Sequence, residues 1–93
     1  KEKIRLLELD TPEISKPKCE KEYLRGIEAR DFINQLIEDA NSIIIETDYS
    51  KDYFGRTLAY LIVDGVDVSN LMIEKGLGVK YQKGVKKDWC KIN

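Results

Sequence analysis

The sequence predicts an α+β fold, mainly β, with two helices. Residues 57–63 alternate strictly, Thr57, Ala59, Leu61 and Val63 against Leu58, Tyr60 and Ile62, which is the period of a half-buried strand. Leu24, Ile27, Phe32, Leu36, Ile37 and Ala40 recur largely at three- and four-residue steps, the period of a helix. A chain of 93 residues makes one domain, 1–93, with a small core.

Taken in order, residues 3–9 read as a strand with Arg5, Leu7 and Leu9 on one face. Asp10-Thr11-Pro12-Glu13 ends it, because Pro12 cannot donate to a ladder and restricts Thr11 before it. Residues 14–23 are polar and read as a solvated loop, and residues 24–40 as the first helix, ended by Asn41 and Ser42. The β-branched run Ile43-Ile44-Ile45-Glu46-Thr47 is a strand. Tyr49 to Gly55 is a polar turn, Arg56 to Val63 the next strand, and Asp64-Gly65 a hairpin signal leading into a short return strand, Val66 to Val68. Ser69 is the expected cap of a second helix over 69–75, and Gly76 its left-handed terminator. The tail from Leu77 to Asn93 carries Lys80, Lys83, Lys86, Lys87 and Lys91, with Tyr81 and Trp89; Trp89 is expected to cover the core beside Cys90.

Composition narrows the chemistry. The net charge of −1 and a pI near 5.5 supply no global attraction to nucleic acid, so phosphate contacts must come from local basic groups. With no histidine, acid–base work falls to carboxylates, Lys, Tyr or Arg, and any metal is a hard, oxygen-bound one. No apolar run is long enough to span a membrane, and the charged start Lys1–Arg5 enters a strand pattern at once, unlike a signal peptide. The two cysteines, Cys19 and Cys90, leave two readings open: free thiols, or one bridge pinning the tail to the loop after the first strand. A bridge points to an oxidising compartment, secreted or periplasmic rather than cytoplasmic.

The residues with chemistry to offer gather in two places. Asp10 and Glu13 straddle a proline-stiffened turn, where two carboxylates and a carbonyl can hold calcium. Arg5 lies five residues upstream, on the opposite face from Asp10 in a regular pleat, unless a twist at the strand end brings it round. Arg56 opens a later strand, where it can meet the same cleft or simply pair with Asp52. Two guanidinium forks, a hard cation and a carboxylate able to take a proton from water are what phosphodiester cleavage demands.

The run Ile4-Arg5-Leu6-Leu7-Glu8-Leu9-Asp10-Thr11-Pro12-Glu13 resembles the Arg…Asp-Thr-Pro-Glu signature of the staphylococcal nuclease (thermonuclease) family. The likeness continues through the Glu28-Ala29 to Ala40 helix, Tyr53-Phe54-Gly55-Arg56-Thr57-Leu58-Ala59-Tyr60, Asp64-Gly65, Val68, Leu71 and Glu74-Lys75-Gly76-Leu77. The segments around Cys19 and Trp89-Cys90 are similar to a bacterial and phage branch. The resemblance implies an OB-type barrel with helices and calcium-dependent hydrolysis of single-stranded or melted DNA and RNA, leaving 3′-phosphate ends. By position it implies that Arg5 and Arg56 stabilise the phosphoryl group and that Asp10 and the Thr11 carbonyl ligate calcium. Glu13 would orient or deprotonate the attacking water, and Tyr81 would lie at the base-binding edge.

The sequence also departs from that family. The family domain opens with two further strands carrying an Asp-Gly-Asp-Thr segment, whereas this sequence begins in the third strand and has no such segment. The barrel is therefore expected to be partial, calcium affinity weak and activity low, and the open sheet edges to pair in a homodimer or to belong to a longer protein. Phe54 stands where many relatives have Tyr. The alternative function is a catalytically impaired OB module that binds nucleic acid or protein, its lysine tail being one possible contact with a protein partner.

Overall fold

The computed structural model describes residues 3–91; Lys1, Glu2, Ile92 and Asn93, and so the outer ends of the charged start and the tail, lie outside the described residues. Within that span the α+β expectation holds. The elements are β1 (Ile4–Leu6), β2 (Leu9–Asp10), α1 (Glu20–Glu38), β3 (Ile43–Glu46), β4 (Thr57–Val63), β5 (Val66–Asp67), α2 (Val68–Glu74), β6 (Val79–Lys80) and a 3₁₀ turn, Trp89–Lys91.

Strand β4 is the hub. It pairs parallel with β1 on one side and antiparallel with β3 on the other, and β5 folds back onto its end. Its alternation is realised: Thr57, Ala59, Leu61 and Val63 are buried, and Leu58, Tyr60 and Ile62 face outward and are half-buried. Asp64 and Gly65 both take positive φ, 50° and 82°, which a two-residue hairpin requires. Asp64 Oδ1 also accepts the backbone N–H groups of Asn41 and Ser42, at 3.0 and 2.9 Å, and so ties the hairpin to the start of β3. Strands β2 and β6 form a separate antiparallel pair. Among the described residues the strands do not close into a barrel.

The core is Leu9, Ala29, Leu61, Val63, Val68, Met72 and Leu77, with Leu6, Phe32, Ile33, Leu36 and Ala40 packed on its rim. Trp89 is buried, as expected. The first helix starts four residues earlier than its periodicity indicates, and the first half of its inner face is built around small residues: Gly26 and Ala29 are buried while Leu24 is 57% exposed. Leu24, which shares the helical period with Phe32 and Leu36, therefore stands outside the core, whereas Phe32 and Leu36 pack against it.

The second helix is capped by Asp67 and not by Ser69. Asp67 Oδ1 accepts Ser69 N at 2.9 Å. Ser69 itself is buried and donates its hydroxyl to the Leu7 carbonyl at 2.9 Å, so its oxygen serves a tertiary contact. Gly76, at φ 74°, ends the helix as expected, with Gly76 N bonded to Ile73 O and Leu77 N to Met72 O.

Candidate functional site

The strand expected over residues 3–9 breaks in the middle. Leu7 and Glu8 form a turn, with Glu8 at φ 60°, and the chain resumes as β2 in the other sheet. Contacts from distant parts of the chain hold the break. Leu7 N donates to Ala59 O at 2.8 Å, Leu7 O accepts from Ser69, and the Tyr60 hydroxyl donates to Glu8 Oε2. The bond to Glu8, with burial and the negative charge of Glu8 behind it, raises the Tyr60 phenol above its ordinary value of 10.0.

The break has a direct result for the site. Period-2 reasoning sets Arg5 and Asp10 on opposite faces; with the pleat interrupted, both line one cleft of about 900 Å³. Thr11, Glu13, Arg56 and Tyr81 line it too, so all six residues singled out from the sequence converge. The parallel register contributes. Arg5 sits opposite Leu58, and Arg56 lies two residues before Leu58, so both arginines project from the same face of the sheet.

Each arginine carries an aromatic partner. The Arg5 guanidinium lies over the Tyr81 ring at 5.7 Å from its centroid, and Arg56 lies over Phe54 at 5.6 Å. Among the described residues Arg5 has no carboxylate partner. Arg56 does: its Nε donates to Asp52 Oδ2 at 2.7 Å, and its backbone N–H to Asp52 Oδ1 at 2.8 Å. Both readings of Arg56 are therefore realised together: it pairs with Asp52, and it faces the cleft. Burial pushes the Asp52 carboxyl up, but the hydrogen bonds and charge of Arg56 outweigh it and hold the group below 3.8.

Asp10 is 8% exposed, and among the described residues no donor or cation is bonded to its carboxylate. No sealed side-chain oxygen among those residues lacks a partner, so the Asp10 oxygens must open on the cleft. Asp10 and the adjoining Thr11 both line the cleft, and a carboxylate and a backbone carbonyl are hard oxygen donors of the kind calcium takes. The set is small: no cluster of three or more Asp, Glu, His or Cys converges among the described residues.

Glu13 is held from two sides. Its carboxylate meets Lys86 Nζ at 3.7 Å. Its backbone N–H donates to Glu22 Oε2 at 3.2 Å, while Glu22 Oε1 accepts Lys18 N at 2.8 Å. Glu22 is buried in the first turn of α1, and one turn on is Gly26. A Cβ on Gly26 would lie 2.8 Å from Ile14 Cγ1, 3.0 Å from Pro12 O and 3.2 Å from Glu13 O. The helix thus packs its backbone directly on the 12–14 loop. Sequence reasoning missed Glu22 and Gly26. The available signal was a glutamate at the third helical position, masked because Cys19, and not Ser or Thr, stands at the cap.

The cysteines are joined. Cys19 at the start of α1 is bonded to Cys90 in the 3₁₀ turn, with Cα atoms 6.1 Å apart. The bridge anchors the tail, whose residues Tyr81, Gln82, Gly84, Val85 and Lys86 form one wall of the cleft.

Comparison with known proteins places the chain in a family. The family model described as staphylococcal nuclease homologue matches residues 3–91. The chain is 34% identical over 80 residues to endonuclease YncB of Bacillus subtilis (strain 168), covering 83% of the chain and 36% of that protein. It is 34% identical over 77 residues to the SPbeta prophage-derived endonuclease YokF of the same organism, covering 80% of the chain and 25% of that protein. It is 31% identical over 80 residues to an uncharacterised Bacillus anthracis protein, covering 85% of the chain and 37% of that protein. The chain spans between 25% and 37% of the length of these curated relatives.

Proposed function

The chain belongs to the staphylococcal nuclease family, and on that premise we propose that it is a calcium-dependent phosphodiesterase acting on DNA and RNA and leaving 3′-phosphate ends. The observation that carries the reading is the convergence of Arg5, Asp10, Glu13 and Arg56 on one cleft across a broken strand.

Arg5, without a carboxylate partner among the described residues, binds a non-bridging phosphate oxygen and neutralises charge as it builds. Arg56, fixed by Asp52 through its Nε, offers its terminal nitrogens to the same group. Glu13 accepts a proton from a water whose oxygen attacks phosphorus; the bond to the 5′-oxygen breaks, and that oxygen takes a proton from solvent water as it leaves. Asp10 and the Thr11 carbonyl would hold calcium, which when bound neutralises phosphate charge. With so few protein donors among the described residues, this chain would hold calcium weakly. The bridge supports placing the protein in an oxidising, extracytoplasmic compartment.

The test is hydrolysis of single-stranded DNA with calcium or with a chelator, comparing the chain with Glu13→Gln. Cleavage is expected only with calcium, falling by roughly 10²–10⁴ in the variant. A second reading, a module that binds nucleic acid without cutting it, is favoured by the absence of a cluster of three carboxylates among the described residues. Binding with no calcium-dependent cleavage would select it.

A further inference from the structure

We propose that Tyr53 and Phe54 form a nucleobase-stacking subsite on the lip of the cleft. The inference rests on the nuclease reading and adds a second place of substrate contact.

Tyr53 is 95% exposed and Phe54 77% exposed. Isolated surface hydrophobes are ordinary, but two adjacent aromatics left in water and held in a fixed arrangement are not. Their rings meet edge to face, centroids 5.3 Å apart at 89°. The backbone that presents them is pinned: Asp52 Oδ1 accepts from Phe54 N at 2.9 Å and from Arg56 N at 2.8 Å. Gly55 N bonds to Asp52 O, and Asp52 N to Arg56 O. The rings are therefore displayed by a closed turn.

Their neighbours identify the occupant. Both rings line the cleft, and the Arg56 guanidinium lies over Phe54. A flat π-face next to a phosphate-binding cation matches a nucleotide, whose base is flat and whose phosphate is anionic. A strand with open base faces can use such a platform. In a duplex both faces of each base are already stacked, and using the platform costs unstacking. Asp52 and Arg56 line the cleft beside the two rings, unlike the apolar centre of a protein-docking patch.

The experiment is equilibrium binding of a fluorescently labelled oligothymidylate to the chain, to Tyr53→Ala and to Tyr53→Trp, with chelator present so that nothing is cleaved. Each is compared with a strand of equal length made of abasic residues. The parent is expected to prefer the base-bearing strand. Tyr53→Ala should lose roughly fivefold or more of that affinity while binding the abasic strand as before, and Tyr53→Trp should retain the preference. The side chain is almost fully in water, so its removal leaves the fold intact, which circular dichroism checks. Equal discrimination by Tyr53→Ala and the parent overturns the subsite. A parent that prefers base-bearing strands but never cleaves them with calcium overturns the nuclease reading and leaves the subsite standing.

Discussion

Glu22 in the first turn of the long helix accepts the backbone N–H of Glu13, at 3.2 Å, and so sets where the cleft carboxylate stands. Its other oxygen accepts Lys18 N, so one buried side chain closes the loop at both ends. Glu22→Ala strands two backbone donors, each worth about 1–3 kcal/mol. Loss of positioning is expected to lower turnover by roughly a hundredfold. Glu22→Gln keeps an acceptor oxygen and should recover part of both. Turnover and urea unfolding, measured side by side, check this: stability lost with turnover per folded molecule unchanged would show that Glu22 does not position Glu13.

Gly26→Ala sets helix propensity against packing. Alanine in a helix is favoured over glycine by about 1 kcal/mol. Here its Cβ would press on the carbonyl oxygens of Pro12 and Glu13, which are backbone and cannot swing aside. Overpacking of this kind costs about 1–3 kcal/mol, so the net effect should be destabilising. A raised midpoint of thermal unfolding would contradict the contact.

Asp52 makes a prediction about pH. Its carboxyl is held below 3.8 in the folded chain, chiefly by Arg56 against the pull of burial. A depressed carboxylate stabilises the fold above its unfolded value, and the contribution is lost as pH falls through the folded value. The Asp52 side-chain carbonyl resonance should therefore titrate with a midpoint below 3.8, moving up in Arg56→Ala. The same midpoint in both proteins would show that the pair does not set it.

Reduction of Cys19–Cys90 opens a bridge spanning 71 residues. In the chain-entropy view this costs roughly 4–5 kcal/mol, a large share of a small domain's stability. Because the bridge anchors the wall carrying Lys86 and Tyr81, activity should fall under reductant before the chain unfolds. Denaturation and activity across a redox titration check it; coincident loss would mean that the bridge supports stability alone.

The outer edge of the Ile43–Glu46 strand has no partner strand among the described residues, and Ile43, Ile44 and Ile45 are 45–50% exposed. Edge pairing of this chain predicts a dimer by light scattering that dissociates in Ile44→Lys. A monomer at every concentration would set edge pairing aside.

Much of this protein is legible in its residues one stretch at a time. The two faces of Thr57–Val63, the Asp64-Gly65 hairpin and the Gly76 helix end follow from local period and local φ preference, and each stands as read. Arg5, Asp10, Thr11, Glu13 and Arg56 stand out by local chemistry as one reading beside ordinary turn and surface roles, and the family resemblance gives them weight and adds Tyr81.

What period could not decide is which residues share a face once an element breaks. Glu8 turns at φ 60° because Tyr60, 52 positions on, bonds its carboxylate, and because Ser69, 62 positions on, bonds the carbonyl before it. Helix α1 begins at Glu20, where Glu22 closes on the site loop and Cys19 on Cys90, although no apolar period extends that far. Most of the elements and the chemistry they carry follow from each residue's own conformational and polar preferences, which act locally along the chain. The meeting of Arg5 and Asp10 follows instead from free energies of contact between residues distant along the chain, which no local preference encodes.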